Sequence, residues 1–304
     1  MRIFIYESVC AGDLGDDVPA SLQREGRAML TAMIADFERV PGCVVEARSA
    51  VSRGETFFEL VIAPEFDNLL RDRSQEVLDA GGRLLGSFPA AIQLTGDKLA
   101  TADFWKARGV PNPRTELLDP ASFASFEGPW VMKPRHGAGS QATFLIRNRG
   151  DEMNAWSPAF HECPDDEFIV QEYVRGQAVS VALLVGATQT IPLMPARQHL
   201  SRDGRFHYQG GSLPLPEPLK SRAIELALRA VAGIDGLRGY VGVDLVLGDD
   251  GNDYAIEINP RLTTSYLGLR QLCEQNLAEL ILRLAQGETI APPTWRAGEV
   301  QFSS

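Results

Sequence analysis

Apolar residues recur with two different spacings in the N-terminal third of the chain. Runs with the pattern typical of strands lie at residues 2–6, 44–48 and 57–63. Residues 19–40 and 69–80 have the 3.6-residue spacing of amphipathic helices, and Gly81-Gly82 ends the second helix as glycine often does. Strands that alternate with helices in this way predict a small parallel β/α domain.

From residue 130 onward the pattern changes to strands joined by short turns. Strands are predicted at residues 130–133, 142–146, 168–174, 179–185, 240–247 and 254–258. One helix follows the proline-rich segment 213–218, with Leu219, Ala223 and Leu226 on a single face, and another is predicted at 277–285. The predicted fold class is therefore α/β, with α+β character in the second part.

Composition and charge narrow the class of ligand. The chain has 304 residues, 44% of them hydrophobic and 23% charged, which suits two or three packed domains. Its net charge of −11 argues against nucleic acid or an anionic membrane as a partner, because both need clustered Lys and Arg. No apolar run approaches the roughly 20 residues that cross a bilayer, and the first residues lack a secretory pattern. We therefore expect a cytoplasmic protein that acts on small molecules.

Cysteine and histidine add little to the predicted chemistry. The cysteines are too scattered for a zinc site or a disulfide framework: Cys10, Cys43, Cys163 and Cys273. No histidine has a carboxylate partner nearby in sequence: His136, His161, His199 and His207. Nothing in the pattern indicates a serine or cysteine nucleophile.

The strongest chemical signal is a predicted hairpin near the C terminus. Asp250-Gly251 is a preferred pair for a two-residue type I′ turn. A turn centred there places Asp244 directly opposite Glu257, about 5 Å apart at Cβ, so the two carboxylates need a cation between them. Asn259 shares their face, and such an all-oxygen set predicts magnesium, with manganese as the alternative. Solvent-facing strand residues are the alternative for either carboxylate taken singly.

A glycine-rich segment, Gly137-Ala138-Gly139-Ser140, lies between two predicted strands. It formally fits the dinucleotide pattern G-x-G-x-x-G/A, but that pattern must open a helix, and a strand follows here. A flap whose backbone amides close over phosphates is the better interpretation, and Lys133 just before it can reach the same phosphates. A plain hairpin turn is the alternative.

These features, taken in order, resemble the ATP-grasp superfamily. The matching parts are Lys98 in GDK, Lys133 in VMKP, the HGAGS flap, Gln171-Glu172-Tyr173-Val174, Asp244 and Glu257-Ile258-Asn259-Pro260-Arg261. The resemblance implies an ATP-grasp fold after a small parallel β/α domain. It predicts a pre-ATP-grasp domain at 1–95, a flap-bearing subdomain at 96–180 and a C-terminal subdomain with the metal site at 181–304.

The resemblance also implies site residues. ATP would be bound by Lys98, Lys133, Gly137, Ala138, Gly139, Ser140, Gln171, Glu172, Tyr173 and Val174. Adenine would be read by Glu172, which takes its amino group, and by the Val174 backbone. Magnesium would be bound by Asp244, Glu257 and Asn259. Arg261 and Lys133 would act on the transferred phosphoryl group. Ala178 stands where many members carry a ribose-binding glutamate, and Gln177 or Ser180 is the expected substitute.

The activity implied is ATP-dependent formation of an amide from a carboxylate and an amine, through an acyl phosphate. Three alternatives stay open: a kinase that phosphorylates a small alcohol, a D-alanine-type dipeptide ligase and a regulatory module without catalysis. The segments EINPRLTTSYLGLR and 209–212 resemble ligases that attach glutamate to tyramine in methanofuran-type biosynthesis. We therefore expect L-glutamate and a tyramine-like or tyrosine-like amine as substrates.

Two further expectations concern the substrate site. Thr263, Thr264, Ser265 and Arg270 are expected near the acceptor or the amino-acid carboxylate, and residues 198–211 are expected to form a lid. A homodimer is compatible with the sequence.

Overall fold

The computed structural model describes residues 1–15, 20–50, 57–119 and 128–303. Its first unit contains the strands β1 (Arg2–Glu7), β2 (Val44–Ala47), β3 (Phe58–Ile62) and β4 (Arg83–Leu84). The helices of this unit are α1 (Ser8–Ala11), α2 (Ala20–Phe37) and α3 (Leu69–Asp79). The strands form a parallel sheet in the order β2-β1-β3-β4.

The two central strands of this sheet are buried because helices cover both of its faces. Met33 and Phe37 of α2 pack with Ile5 on one face, and Val77 of α3 packs on the other. Parallel strands covered on both sides read as nearly continuous apolar runs, which is how β1 and β3 read. Their carboxyl ends share one edge, where Glu65 follows β3.

The second unit is an antiparallel sheet in the order β5-β8-β6-β7. Its strands are β5 (Thr115–Leu117), β6 (Trp130–Pro134), β7 (Phe144–Ile146) and β8 (Phe168–Glu172). The helices α4 (Pro89–Gly96) and α5 (Lys98–Ala107) lead into this unit, and α6 (Arg149–Glu162) packs on its sheet. Ala155 and Ala159 of α6 pack against Met132 and Val170 in a small separate core.

The third unit is a larger antiparallel sheet in the order β14-β13-β9-β11-β12-β15, with β10 paired to β9. Its strands are β9 (Gly176–Val185), β10 (Thr190–Pro192), β11 (Ala196–Leu200), β12 (Tyr208–Leu213), β13 (Gly239–Gly248), β14 (Asp253–Asn259) and β15 (Val300–Phe302). The helices are α7 (Leu219–Val231), α8 (Ser265–Leu272) and α9 (Leu277–Ala285).

The third sheet is covered on both faces. Ala223 and Ala227 of α7 pack with Val181 and Val243 on one face. On the other face, Leu184 belongs to a core shared with α9 and with α2 of the first unit. The first unit is therefore held against the sheet that carries the predicted metal ligands.

The predicted α/β class and parallel N-terminal sheet are confirmed. The predicted strands and helices are present with ends that move by a few residues, although Pro19 lies outside the described residues. The strands β4, β5, β10, β11, β12 and β15 and the helices α1, α4, α5, α6 and α8 were not predicted. The division at residues 95 and 180 stays a prediction, and β9 already belongs to the third sheet from Gly176.

Within the described ranges, no helix is both long enough and apolar enough to cross a membrane.

Candidate active site

The hairpin of β13 and β14 brings the three predicted metal ligands together. Asp244 pairs with Glu257 and Gly242 pairs with Asn259, as the sequence predicted. Asn259 reaches Asp244 diagonally, and its Nδ2 donates to Oδ2 at 3.1 Å. Two carboxylates and an amide therefore share one face of the hairpin.

The predicted type I′ turn is wrong, although the register it gave is right at the ligands. Gly248 N donates to Asn252 O at 2.8 Å, so the loop has one residue more than a two-residue turn. Gly251 has a φ of 87°, as is common in three-residue hairpin loops. Between this turn and Asp244 the register shifts by one at a β-bulge. The longer loop and the bulge offset each other.

Asp244 lies half-buried among polar partners. Gln198 of β11 donates Nε2 to its Oδ1 at 2.9 Å, and Ser180 of β9 donates its hydroxyl to the same carboxylate. Burial raises the pKa of Asp244 to about 7, and the facing charge of Glu257 adds to this effect. The two facing carboxylates therefore repel each other, and a cation bound between them would remove this repulsion.

The donor set fits a hard divalent cation. Two carboxylates and an amide oxygen are ligands that magnesium accepts while it keeps positions for water and phosphate oxygens. Among the described residues, no group of three or more His, Cys, Asp or Glu side chains is arranged to hold a metal ion. The candidate site therefore depends on Asn259, whose amide must turn over to present Oδ1 to a metal.

Two lysines face the hairpin from the flap-bearing unit. Lys98, the first residue of α5, has its Nζ 3.9 Å from Glu257 Oε2 and donates to the carbonyl of Gly137. Lys133 of β6 is buried and donates to Gln171 Oε1 at 2.9 Å. Burial lowers the pKa of Lys133 to about 8, which Glu257 partly opposes. The Lys133 ammonium thus contacts a neutral amide at hydrogen-bond distance.

The glycine segment is a loop between two antiparallel strands, as predicted. It joins β6 to β7 and includes Ala138, whose carbonyl accepts a hydrogen bond from Gln141 N at 3.4 Å. Gly139 and Ser140 have positive φ values of 67° and 61°. A strand rather than a helix follows, so the loop is not a dinucleotide-binding turn.

A histidine holds the base of this loop. His136 Nδ1 lies 3.0 Å from Asp166 Oδ1, and its backbone N donates to Asp166 Oδ2, also at 3.0 Å. The expectation that the histidines lack a carboxylate partner, which was based on neighbours in sequence, is therefore wrong for His136. Asp166 is 30 residues away and comes from the turn before β8.

The predicted adenine strand runs where β8 ends and the chain enters the third sheet. Gln171 is buried and also donates Nε2 to Thr115 Oγ1 at 2.9 Å. Glu172 N donates to Arg114 O at 2.8 Å, and the Glu172 side chain is exposed. The ring of Tyr173 lies 6.1 Å from that of Phe206, and the half-buried Val174 follows Tyr173 in the chain.

The structure distinguishes the two expected substitutes for a ribose contact. Ser180 pairs with Asp244 across β9 and β13 and lies on the same face as the metal set. Gln177 pairs with Leu247, which belongs to the core under α7, and its Nε2 donates to Ala178 O at 3.1 Å. Strand alternation puts Gln177 on the opposite face. The geometry therefore does not support Gln177 as a nucleotide contact.

Arg261 is held by a residue that the sequence did not indicate. Its Nε and Nη2 donate to Glu65 Oε1 and Oε2 at 2.9 and 3.2 Å, across the junction between the first and third units. Glu65 and Arg261 are 6% and 16% exposed. Glu65 also lines the small cavity bounded by Lys98, Gly137 and Glu257. No local motif marks Glu65, because its partner lies 196 residues away.

The predicted lid is shorter than expected, because β11 and β12 occupy half of residues 198–211. The remaining loop, residues 201–207, docks on the flap-bearing unit. Gly204 O accepts from Leu145 N at 2.8 Å, and Phe206 O accepts from Ser140 Oγ at 2.8 Å. Arg205 donates to Thr143 O at 3.0 Å and contacts Glu162 at 2.7 Å. The loop thus joins the flap to the third sheet.

The residues expected near the acceptor divide into two groups. Thr263 and Ser265 lie within hydrogen-bond distance of each other, at 2.9 Å, and Ser265 lies 2.7 Å from Tyr240 Oη. Thr264 hydrogen-bonds the Tyr208 hydroxyl, whose pKa burial raises. Arg270 instead binds buried Asp36 of α2 at 2.6 and 2.8 Å. Arg270 is therefore an interdomain contact, and its expected role near a substrate carboxylate is not supported.

Two models of known protein families together match most of the chain. Residues 95–265 match the model of the ATP-grasp domain and residues 55–92 match that of the pre ATP-grasp 3 domain. Over 233 residues the chain is 33% identical to the tyramine–L-glutamate ligase of Methanocaldococcus fervens and 31% identical to that of Methanocaldococcus jannaschii. These alignments cover 77% of this chain and 67% and 64% of the two relatives. The chain thus spans about two thirds of their length.

A solved structure supports the same family assignment. The fold is similar to that of an Archaeoglobus fulgidus protein assigned to the ATP-grasp superfamily, with a TM-score of 0.72 and 26% identity. The similarity covers 93% of this chain and 88% of the other. The chain therefore belongs to the ATP-grasp superfamily, as an ATP-dependent carboxylate–amine ligase.

Proposed function

We propose that the chain joins the carboxylate of L-glutamate to the amine of tyramine or a tyrosine-like compound, with ATP and magnesium. One observation carries the proposal: Lys98 and Lys133 face the Asp244–Glu257 pair across a single cleft. Two lysines on one wall and two carboxylates on the other complement a metal–nucleotide complex. The similarity to tyramine–L-glutamate ligases supports the choice of substrates.

The ligands would be divided between the two walls of the cleft. Asp244, Glu257 and Asn259 would hold magnesium, or manganese in its place. When bound, the metal neutralises charge on the phosphate oxygens. The ATP phosphates would lie against Lys98 and Lys133 under the flap formed by Gly137, Ala138, Gly139 and Ser140. Adenine would lie against the strand formed by Gln171, Glu172, Tyr173 and Val174.

The reaction needs two steps, because a carboxylate must be activated before an amine can attack it. A carboxylate resists attack by an amine because its charge and resonance make it a poor electrophile. Transfer of the γ-phosphoryl group to a carboxylate oxygen gives ADP and an acyl phosphate with a good leaving group. The amine then attacks the carbonyl carbon, the C–O bond to phosphate breaks, and the amide, phosphate and a proton are released. Arg261 and Lys133 would stabilise the charge that develops on the transferred group.

The acceptor region suits a phenolic amine. The half-buried Tyr208, whose hydroxyl bonds Thr264, places aromatic surface beside the metal face of β13. An aromatic ring can pack against such surface while its hydroxyl finds a polar partner. This region is therefore the proposed site of the tyramine-like substrate.

The direct test is ADP and phosphate release from ATP, magnesium and L-glutamate, with and without tyramine or tyrosine, with products identified by mass. We expect ADP release that depends on the amine and a product heavier by one glutamyl residue. Activity only with other carboxylate and amine pairs would keep the ligase chemistry and reject these substrates. Light scattering on the same preparation would test the homodimer.

The kinase is the second candidate, because Arg261 and the metal set would serve phosphoryl transfer to an alcohol equally well. It predicts a phosphorylated product and no amide. The same mass measurement separates the two reactions.

A further inference from the structure

We propose that Glu65, which lies outside the ATP-grasp domain, is a positioning residue that aims the guanidinium of Arg261 at the transferred phosphoryl group. This inference rests on the proposed function, since it assigns the orientation of a residue of that same site. Glu65 follows β3 in the first unit, whereas Arg261 follows β14 in the third. The two residues meet where the units join.

The hydrogen bonds of Arg261 show which of its edges Glu65 uses. A guanidinium has five N–H groups in a planar fork, so it offers one bidentate edge formed by Nε and Nη2 and another formed by Nη1 and Nη2. Glu65 takes the first edge, with both carboxylate oxygens at 2.9 and 3.2 Å. Nη1 makes a longer bond of 3.3 Å to the carbonyl of Leu262.

The second edge is left for a ligand. One N–H of Nη1 and one of Nη2 have no acceptor within the part of the chain that the structure describes. The edge formed by Nη1 and Nη2 lies away from Glu65 and is the one that can bind a phosphoryl or carboxylate group bidentately. Because Glu65 fixes the plane of the guanidinium from the opposite side, it also fixes the direction of this edge.

The position of Glu65 is itself constrained. Its side chain is 6% exposed, and the backbone just before it is tied to α3, because Leu70 N donates to Pro64 O at 3.2 Å. Gly96, at the end of α4, leaves room for it: a Cβ there would lie 3.3 Å from Glu65 Cβ. A buried carboxylate with both oxygens bonded to Arg261 is not available for a substrate ammonium group. Its effect on the reaction therefore passes through Arg261.

The test compares Glu65→Gln, Glu65→Asp and Arg261→Met with the double variant Glu65→Gln/Arg261→Met. We expect Glu65→Gln to lower kcat about tenfold to a hundredfold with little change in the KM for ATP, because a shift of about 1 Å in a positioned group costs that much. Glu65→Asp keeps the charge and should recover part of the loss. In the Arg261→Met background, Glu65→Gln should cause no further loss.

The matched control is Asp253→Asn, which removes the bidentate partner of Arg222 at the far end of β14. It should leave kcat unchanged. Equal losses of kcat in Glu65→Gln and in this control, or additive losses in the double variant, would overturn the proposal. So would a KM for ATP that rises in step with the fall in kcat.

A binding measurement separates this inference from the ligase assignment. ADP with aluminium fluoride mimics a phosphoryl group in transfer, and its binding with magnesium requires no amide formation. Glu65→Gln should weaken this complex about tenfold or more while the binding of a non-hydrolysable ATP analogue changes little. Equal effects on both ligands would contradict a positioning role, whatever the amine substrate proves to be.

Discussion

The two walls of the cleft are built in different ways. The wall proposed to bind metal, called the metal wall below, is a single hairpin, in which strand register alone brings Asp244 and Glu257 face to face. The opposite wall is assembled from α5, β6 and the loop between β6 and β7. Its parts are held by contacts from distant segments, such as Asp166 at His136 and Phe206 at Ser140.

This difference in construction predicts that the two walls differ in mobility. A register set by a ladder of backbone hydrogen bonds persists as long as the sheet does, so the carboxylates are pre-organised for metal. The flap depends on a few side-chain contacts, and regions with few buried contacts open at low free-energy cost. We therefore expect the metal wall to stay fixed while the flap wall opens to admit ATP.

The largest effect should come from the fixed wall. Glu257→Gln keeps the volume and removes the charge that faces Asp244, so kcat should fall by about a thousandfold or more, in line with the several kcal/mol that a catalytic metal supplies. The melting temperature of the apoprotein should not fall, because like charges no longer face each other. Amine-dependent ADP release and thermal melting measure both effects, with Asp249→Asn in the exposed turn as the control. Full activity in Glu257→Gln would remove the metal assignment.

A smaller effect is expected from the flap wall. Lys133→Met removes a buried cation and should lower kcat about a hundredfold, the size found when one preorganised donor is lost. The fold should survive, because Lys133 contacts an amide rather than a carboxylate. The readout is steady-state kinetics, with Lys106→Met on the exposed face of α5 as the matched control. A loss in both variants would count against a site-specific role.

The pH dependence of ATP binding tests the same lysine. Burial lowers the pKa of Lys133 to about 8, so its charge is lost as the pH rises through 8, and ATP affinity should fall about tenfold between pH 7 and pH 9. The depressed pKa makes this group's contribution to folding stability rise with pH from about 8 up to its unfolded value, so unfolding from this source is not expected there. Calorimetric titration of a non-hydrolysable ATP analogue measures the affinity. The Lys133→Met variant should lack this dependence, and its persistence there would assign it to another group.

The smallest effect should come from the contact between the lid loop and the flap. Arg205→Ala removes the bonds to Thr143 and Glu162, which should raise the KM for ATP about fivefold with little change in kcat, because the flap closes less often. Arg147→Ala, which removes an exposed pair with Asp151 in the same unit, is the control. An unchanged KM in Arg205→Ala would show that the loop does not support the flap.

Local patterns predicted the strand register at the metal wall and the position of the flap, but not the long-range contacts of the site. The facing of Asp244 and Glu257 was predictable because a hairpin carries its register in nearby residues, although a wrong turn type and an unforeseen bulge happened to cancel. The partners Glu65 and Asp166 left no local signal, because they act across 196 and 30 residues.

Packing explains the two glycines of the segment 209–212. Gly210 and Gly211 lie against β15, where a Cβ would come within 2.4 Å of Phe302 O and 2.6 Å of its ring. The need for glycine there is a matter of close packing, and β15 itself was not predicted. The face that Gln177 occupies was likewise not predictable, since only the register of β9 against β13 shows it.

The central claim is that phosphoryl transfer activates a carboxylate, and isotope transfer tests it most directly. L-Glutamate labelled with ¹⁸O in its carboxylates is incubated with ATP, magnesium and tyramine, and the phosphate and amide are analysed by mass. The account predicts one ¹⁸O in the released phosphate for each amide formed, because the C–O bond of the acyl phosphate breaks when the amine attacks. Amide formed with unlabelled phosphate would contradict it.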